Sequence, residues 1–180
     1  MRQAGYIGLD VGTSGCKASV LDGEGRVLAT ASREYGFEYP AGGMVELNPS
    51  TVWNCVKDTL REIASSGHEL GMLSVSSIGE AMVMLDREDR VLHNGITYLD
   101  ERGPESVDTI RERIGGDRMH RITGLPPRLF YSLNRFLWLQ ENRPEIVEQT
   151  DKFFLFGDYI TYMLTGERLI DPGSASKTWM

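Results

Sequence analysis

The segment Gly8-Leu9-Asp10-Val11-Gly12-Thr13-Ser14-Gly15-Cys16-Lys17 constrains the fold more than any other stretch of the sequence. An apolar run from Tyr6 to Val11, broken only by Asp10, predicts a short strand buried on both faces. Gly12 to Gly15 is a tight turn, and the alternation from Cys16 to Leu21 predicts a strand returning antiparallel. Asp22-Gly23-Glu24-Gly25 is a second turn signal, and Arg26 to Arg33 reads as a third strand. Two consecutive hairpins therefore open the chain.

A helix follows. Asn48 can cap it, Pro49 suits its first position, and Val52, Cys55, Val56, Leu60, Ile63 and Ala64 form one apolar stripe that Gly67 ends. Met72 to Ile78 and Met82 to Asp86 read as strands on either side of Gly79-Glu80-Ala81. The second half is mainly helical. Pro104 begins one helix, stopped by Gly115-Gly116, and Ser132 can cap another that Pro144 limits. Phe153 to Phe156 is a short strand candidate, and Gly157-Asp158 leads a helix closed by Gly166. The final segment, Asp171 to Met180, reads as cut in mid-structure. Strands alternating with helices in this order belong to an α/β layer arrangement.

The chemistry concentrates in the first turn. A carboxylate at the end of a buried strand is costly unless a metal or its hydration shell compensates the charge. The glycines and hydroxyls of Gly12, Thr13, Ser14 and Gly15 can turn N–H and O–H groups towards an anion, and Lys17 adds a cation. Together they suit the end of a nucleotide triphosphate, with Asp10 holding a divalent metal. A Walker loop is excluded by spelling, because Cys16 precedes Lys17 and Ala18 follows it. A dinucleotide fingerprint needs three spaced glycines before a helix, whereas this turn precedes a strand. The same residues also suit a plain hairpin turn.

Composition narrows the partners. A net charge of -7 would repel a polyphosphate backbone, which argues against a nucleic-acid binder. Cys16 and Cys55 cannot form a disulfide framework, and no apolar run reaches the roughly 18 residues of a membrane span. The opening Met1 to Tyr6 carries no signal-peptide apolar region, so a cytoplasmic location is expected. His68, His93 and His120 are scattered without metal-ligand spacing.

Gly8 to Lys17 resembles the first phosphate motif of the actin-like ATPase superfamily, and its continuation to Ala29 is similar to FGGY sugar kinases. The likeness continues in order through Val45-Glu46-Leu47-Asn48-Pro49, Leu73 to Glu80, Val83-Met84-Leu85-Asp86 and Ile96 to Arg102. Leu137-Trp138, Asp158-Tyr159 and Leu164-Thr165-Gly166-Glu167 extend it to the end. The resemblance implies a ribonuclease-H-like, actin-like mixed sheet flanked by helices, with a helical second half. Residues 1–180 would be the N-terminal kinase domain, stopping short of its end, with the C-terminal nucleotide-binding domain absent.

The same resemblance implies roles. Asp10 would organise Mg²⁺, while Gly12, Thr13, Ser14 and Lys17 would hold the phosphates of ATP. Glu80, Asp100 and Arg102 would face a small carbohydrate, Asp100 accepting from two vicinal hydroxyls and Arg102 either touching substrate or pairing with a neighbouring acid. Trp53, Trp138 and Tyr98 read as core more readily than as sugar platforms. A xylulokinase would carry Met-His across Gly79-Glu80, so the sequence departs from that member there. The catalytic base is expected beyond residue 180, and a homodimer is left open. The implied activity of the full-length protein is ATP-dependent phosphorylation of a ketose, polyol or related sugar. The alternative is an actin-like ATP-binding or assembly module without sugar chemistry.

Overall fold

The computed structural model describes residues 5–126 and 128–180. The first four residues, on which part of the N-terminal reading rests, lie outside the described residues. The chain runs through β1 (Gly5–Val11), β2 (Gly15–Leu21), β3 (Val27–Glu34), β4 (Glu46–Leu47), α1 (Pro49–Ala64) and β5 (Leu70–Ser77). Three short strands follow, β6 (Met82–Leu85), β7 (Val91–His93) and β8 (Gly95–Ile96), and then α2 (Pro104–Arg113) and α3 (Gly116–Thr123). The remainder is α4 (Ser132–Asn142), α5 (Pro144–Gln149), β9 (Lys152–Leu155), α6 (Phe156–Thr165) and α7 (Pro172–Thr178). These elements divide into two compact units, Met1–Phe37 with Pro49–Ile78 and Glu38–Asn48 with Gly79–Met180.

The first unit is a four-stranded sheet in the order β3-β2-β1-β5. The two predicted hairpins are antiparallel, and β5, reached through α1, returns parallel to β1. A parallel return needs such a crossover, because a tight turn can only reverse the chain. Helix α1 packs on β2 and β3 and buries Val52, Val56, Thr59 and Ile63. Each apolar side chain in that stripe contributes roughly 1.5–3 kcal/mol through burial. Cys16 Sγ lies 3.3 Å from Thr59 Oγ1, joining sheet and helix in the interior.

Strand β1 is not buried on both faces: Ile7, Leu9 and Val11 point inward, while Tyr6, Gly8 and Asp10 are exposed. Among the described residues of this unit, a helix covers only one face of the sheet. Asp10 is therefore a solvent-facing carboxylate, and the cost of burying its charge does not arise.

In the second unit β6 is central in the antiparallel order β7-β6-β9, and β4 pairs with β8. Every residue of β6 is buried. Met82, Met84, Ile96, Leu139, Ile146 and Leu155 form one core cluster; Ile110, Met119, Tyr131 and Trp179 form another. Pro144 does limit α4, but the chain restarts at once as α5, since proline suits a first helical position. Ser132 does not cap α4. Tyr131 is the N-cap, and the Ser132 hydroxyl is used elsewhere. Helices α3 and α7 were not anticipated. Among the described residues no helix is long and apolar enough to cross a membrane.

Candidate functional site

Each of the two units carries a concavity lined in part by predicted site residues. In the first, Asp10 and Lys17 stand directly opposite each other on β1 and β2. With Gly8, Leu9, Ser19, Ser74 and Ser76 they line an open hollow of about 380 Å³. The turn between the strands is held from several sides. Gly12 N–H donates to Gly15 O at 2.9 Å, Tyr35 N–H to Ser14 O at 3.0 Å, and Tyr35 O–H to Gly12 O at 2.8 Å. A Cβ on Gly15 would lie 2.6 Å from Arg33 O, so the approach of β3 requires glycine there. Among the described residues, no carbonyl accepts from the Thr13 or Ser14 amide, which leaves both N–H groups available to an anion. Burial pushes the Tyr35 phenol far above its usual range, so it remains a donor to the turn. Tyr35 was missed in the sequence, where a tyrosine 23 positions from Gly12 carries no signal of the contact.

In the second unit a hollow of about 340 Å³ is lined by Gly79, Glu80, Tyr98, Leu125, Phe130, Tyr131 and Lys177. Its volume falls in the range of small-molecule sites. Glu80 is 9% exposed. Ser132 Oγ donates to its Oε2 at 3.2 Å, and among the described residues Oε1 has no partner. Burial pushes the Glu80 carboxyl up to about 8, against the opposing pull of Ser132, Lys177 and Arg135. Burial and the neighbouring Glu80 also raise the Tyr131 phenol. Tyr98 is 49% exposed beside this carboxyl, not in the core where its sequence context suggested. A half-exposed aromatic ring next to a carboxyl suits the mixed C–H and O–H surface of a polyol.

Asp100 and Arg102 do not line this hollow. The Asp100 side chain is fully buried and accepts from Val45 N–H at 2.7 Å, Arg102 N–H at 2.9 Å and Arg102 Nη2 at 2.7 Å. Its two oxygens are thus occupied by protein donors, which leaves no lone pairs directed at vicinal hydroxyls. Burial works against its charge, but the bonds from Arg102 and Val45 prevail and hold the carboxyl below its usual range. Arg102 pairs with Asp100 and also reaches Glu46 Oε1 at 2.8 Å, and its guanidinium lies over the Trp138 ring at 4.8 Å. Arg135 of α4 donates to the carbonyls of Arg102, Asp100 and Thr97. Gly103, at φ 74°, lets the chain turn against Trp138, whose Cβ would be 3.2 Å from an added methyl. This network fixes residues 97–102, the loop that presents Tyr98.

Among the described residues no group of three or more His, Cys, Asp or Glu could hold a metal ion unaided. A single exposed carboxylate still suits Mg²⁺, which is commonly bound by one or two carboxylates together with substrate phosphates.

One unit with a hairpin-led mixed sheet and a turn whose amides are open to an anion, and a second unit with a hollow lined by aromatic rings and a carboxyl, define an α/β protein of two units. Residues 5–180 match the FGGY family of carbohydrate kinases, N-terminal domain, and the chain belongs to that family. It is 30% identical to a glycerol kinase of Thermococcus gammatolerans, over 97% of this chain and 37% of the relative. The xylulose kinase of Rhodospirillum rubrum superposes with a TM-score of 0.92 at 26% identity, covering 97% of this chain and 37% of that one. The gluconate kinase of Lactobacillus acidophilus gives 0.90 at 26% identity, covering 98% and 36%. The chain thus spans a little over a third of the length of these relatives. The fold neighbours bear out the actin-like α/β architecture.

Proposed function

We propose that the full-length protein is an ATP-dependent kinase that phosphorylates a small ketose, polyol or related carbohydrate. The observation that carries this reading is the Glu80 carboxyl, buried with an unpartnered oxygen beside the exposed Tyr98 ring. An orphaned acceptor in a hollow is a liability unless a ligand donates to it, and a sugar hydroxyl is such a donor. Glycerol, xylulose and gluconate in the names of its relatives belong to the same class of polyhydroxylated molecules.

In this reading Gly12, Thr13, Ser14 and Lys17 bind the phosphates of ATP, with the Thr13 and Ser14 amides as donors and Lys17 as the cation. Asp10 would hold Mg²⁺, which neutralises charge on the phosphates during transfer. Glu80 orients the acceptor hydroxyls, with Tyr98 against the carbon skeleton. Asp100 and Arg102 act through position, by fixing the Tyr98 loop. The base that takes the hydroxyl proton is assigned to no residue of this chain. The two free cysteines fit a cytoplasmic enzyme, where ATP is available.

The test is ADP release by the full-length protein over a panel of pentuloses, hexuloses, polyols and aldonates. Stimulation by at least one of them is expected. A flat response across the panel removes the kinase reading.

A further inference from the structure

Among the described residues, Lys177 is the one cation lining the Glu80 hollow. Its ammonium lies over the backbone of Gly79, 3.4 Å from where a Cβ would stand. Among the described residues it forms no ion pair within 4.0 Å and no side-chain hydrogen bond, although Glu80 and Asp171 are near enough to feel its charge. Asp171 is engaged at the other end of α7, where its carboxylate accepts from Ser174 N–H at 3.0 Å.

The placement of Lys177 is built, not incidental. Trp179, two residues on, is 4% exposed and packs tilted against the Tyr131 ring, with centroids 4.7 Å apart and planes at 37°. It holds a left-handed φ of 60°, which costs a non-glycine residue roughly 1–2 kcal/mol. Such strain persists only where packing over-determines it, so the Trp179 anchor fixes the last turn of α7 and with it Lys177.

Charge then decides what the hollow accepts. With the carboxyl pushed up to about 8, Glu80 is mostly uncharged at pH 7 and does not neutralise the lysine. The hollow is left with a net positive charge, although the chain as a whole carries -7. We infer that Lys177 is the anion-reading residue of this pocket, so that the carbohydrate bound there presents a negatively charged oxygen group to its ammonium. The inference rests on the carbohydrate reading given above and adds the charge of the ligand to it. Two sources share that chemistry: the carboxylate of a sugar acid, and the phosphate ester formed on the product.

Calorimetry on the full-length protein without nucleotide distinguishes them, using D-gluconate, neutral xylitol and glycerol 3-phosphate as probes. Lys177→Met should weaken binding of one of the two anions roughly tenfold or more while changing xylitol by less than about twofold. Lys177→Arg should retain the anion affinity, which a merely structural lysine would not require. Loss confined to gluconate assigns the charge to the acceptor, and loss confined to glycerol 3-phosphate assigns it to the product. Wild-type protein that binds these ligands, with Lys177→Met binding both anions unchanged or losing xylitol equally, overturns the inference alone. Wild-type protein that binds none of the three overturns the carbohydrate reading as well.

Discussion

Ser132 Oγ donates to Glu80 Oε2 across 3.2 Å, while the second oxygen of that carboxyl is buried without a partner among the described residues. One hydrogen bond does not offset the burial, and the carboxyl is pushed up to about 8 from an ordinary value of 4.5. Below about pH 4.5 folded and unfolded chains both carry the proton, and Glu80 adds no pH dependence to stability. Between 4.5 and 8 the unfolded chain ionises while the folded one resists, so stability falls as pH rises through that window. Glu80→Gln should remove this slope. Thermal melts of the two proteins from pH 5 to 8 should diverge, the wild type losing up to a few kcal/mol relative to the variant. Parallel curves would mean that Glu80 ionises freely in the fold.

Asp100→Ala leaves Arg102 buried against Glu46 without its main partner. Removing one member of a buried pair typically costs about 3–5 kcal/mol. The apparent melting midpoint of the full-length protein should drop accordingly. Asp100→Leu combined with Arg102→Met should recover part of the loss, because neither charge is then stranded. A variant Asp100→Ala with wild-type stability would show that water reaches the site and replaces the carboxylate.

Asp10→Ala should lower kcat at least roughly a hundredfold, in line with loss of charge stabilisation in phosphoryl transfer. Asp10 is exposed and ends no core contact, so the melting midpoint should hardly move. Turnover within a few-fold of wild type would remove Asp10 from the reaction.

Gly15→Ala puts a methyl 2.6 Å from the Arg33 carbonyl, which is backbone and cannot swing away. The hairpin must shift, at a cost of roughly 1–3 kcal/mol. The KM for ATP should rise more than the KM for the sugar, since the displaced turn is the one proposed to hold phosphate. An equal rise in both would point to general unfolding.

The sheet of the first unit was legible because its signals are local. Gly and Asp mark the two turns, Pro49 marks the helix start, and the apolar stripe of α1 recurs at helical spacing. Burial on both faces of β1 could not be read correctly, because Tyr6 and Leu9 look equally apolar in sequence and differ only in what covers them. Helix α3 was missed because Gly116 to Thr123 is short and buries only Met119, its other apolar side chain, Ile122, being exposed. The candidate site was half legible. Asp10, the turn and Glu80 are carried by compact segments, whereas the hollow joins residues 79–80, 98, 125, 130–131 and 177, which come together only after folding. Asp100 carries the same difficulty in sharper form. A carboxylate next to an aromatic segment reads as a ligand contact, and only the distant Val45, Glu46 and Arg135 reveal that it is structural.

The grip of Arg135 on three carbonyls of the Thr97–Arg102 loop has one more consequence. Ordering a free loop on ligand arrival would cost roughly 1–2 kcal/mol of backbone entropy for each residue fixed. Here that ordering is completed during folding, with the guanidinium acting as an internal splint. The Tyr98 backbone is therefore in place before any ligand arrives, and on the proposed carbohydrate reading the affinity for a small polyol would not be spent on ordering that loop.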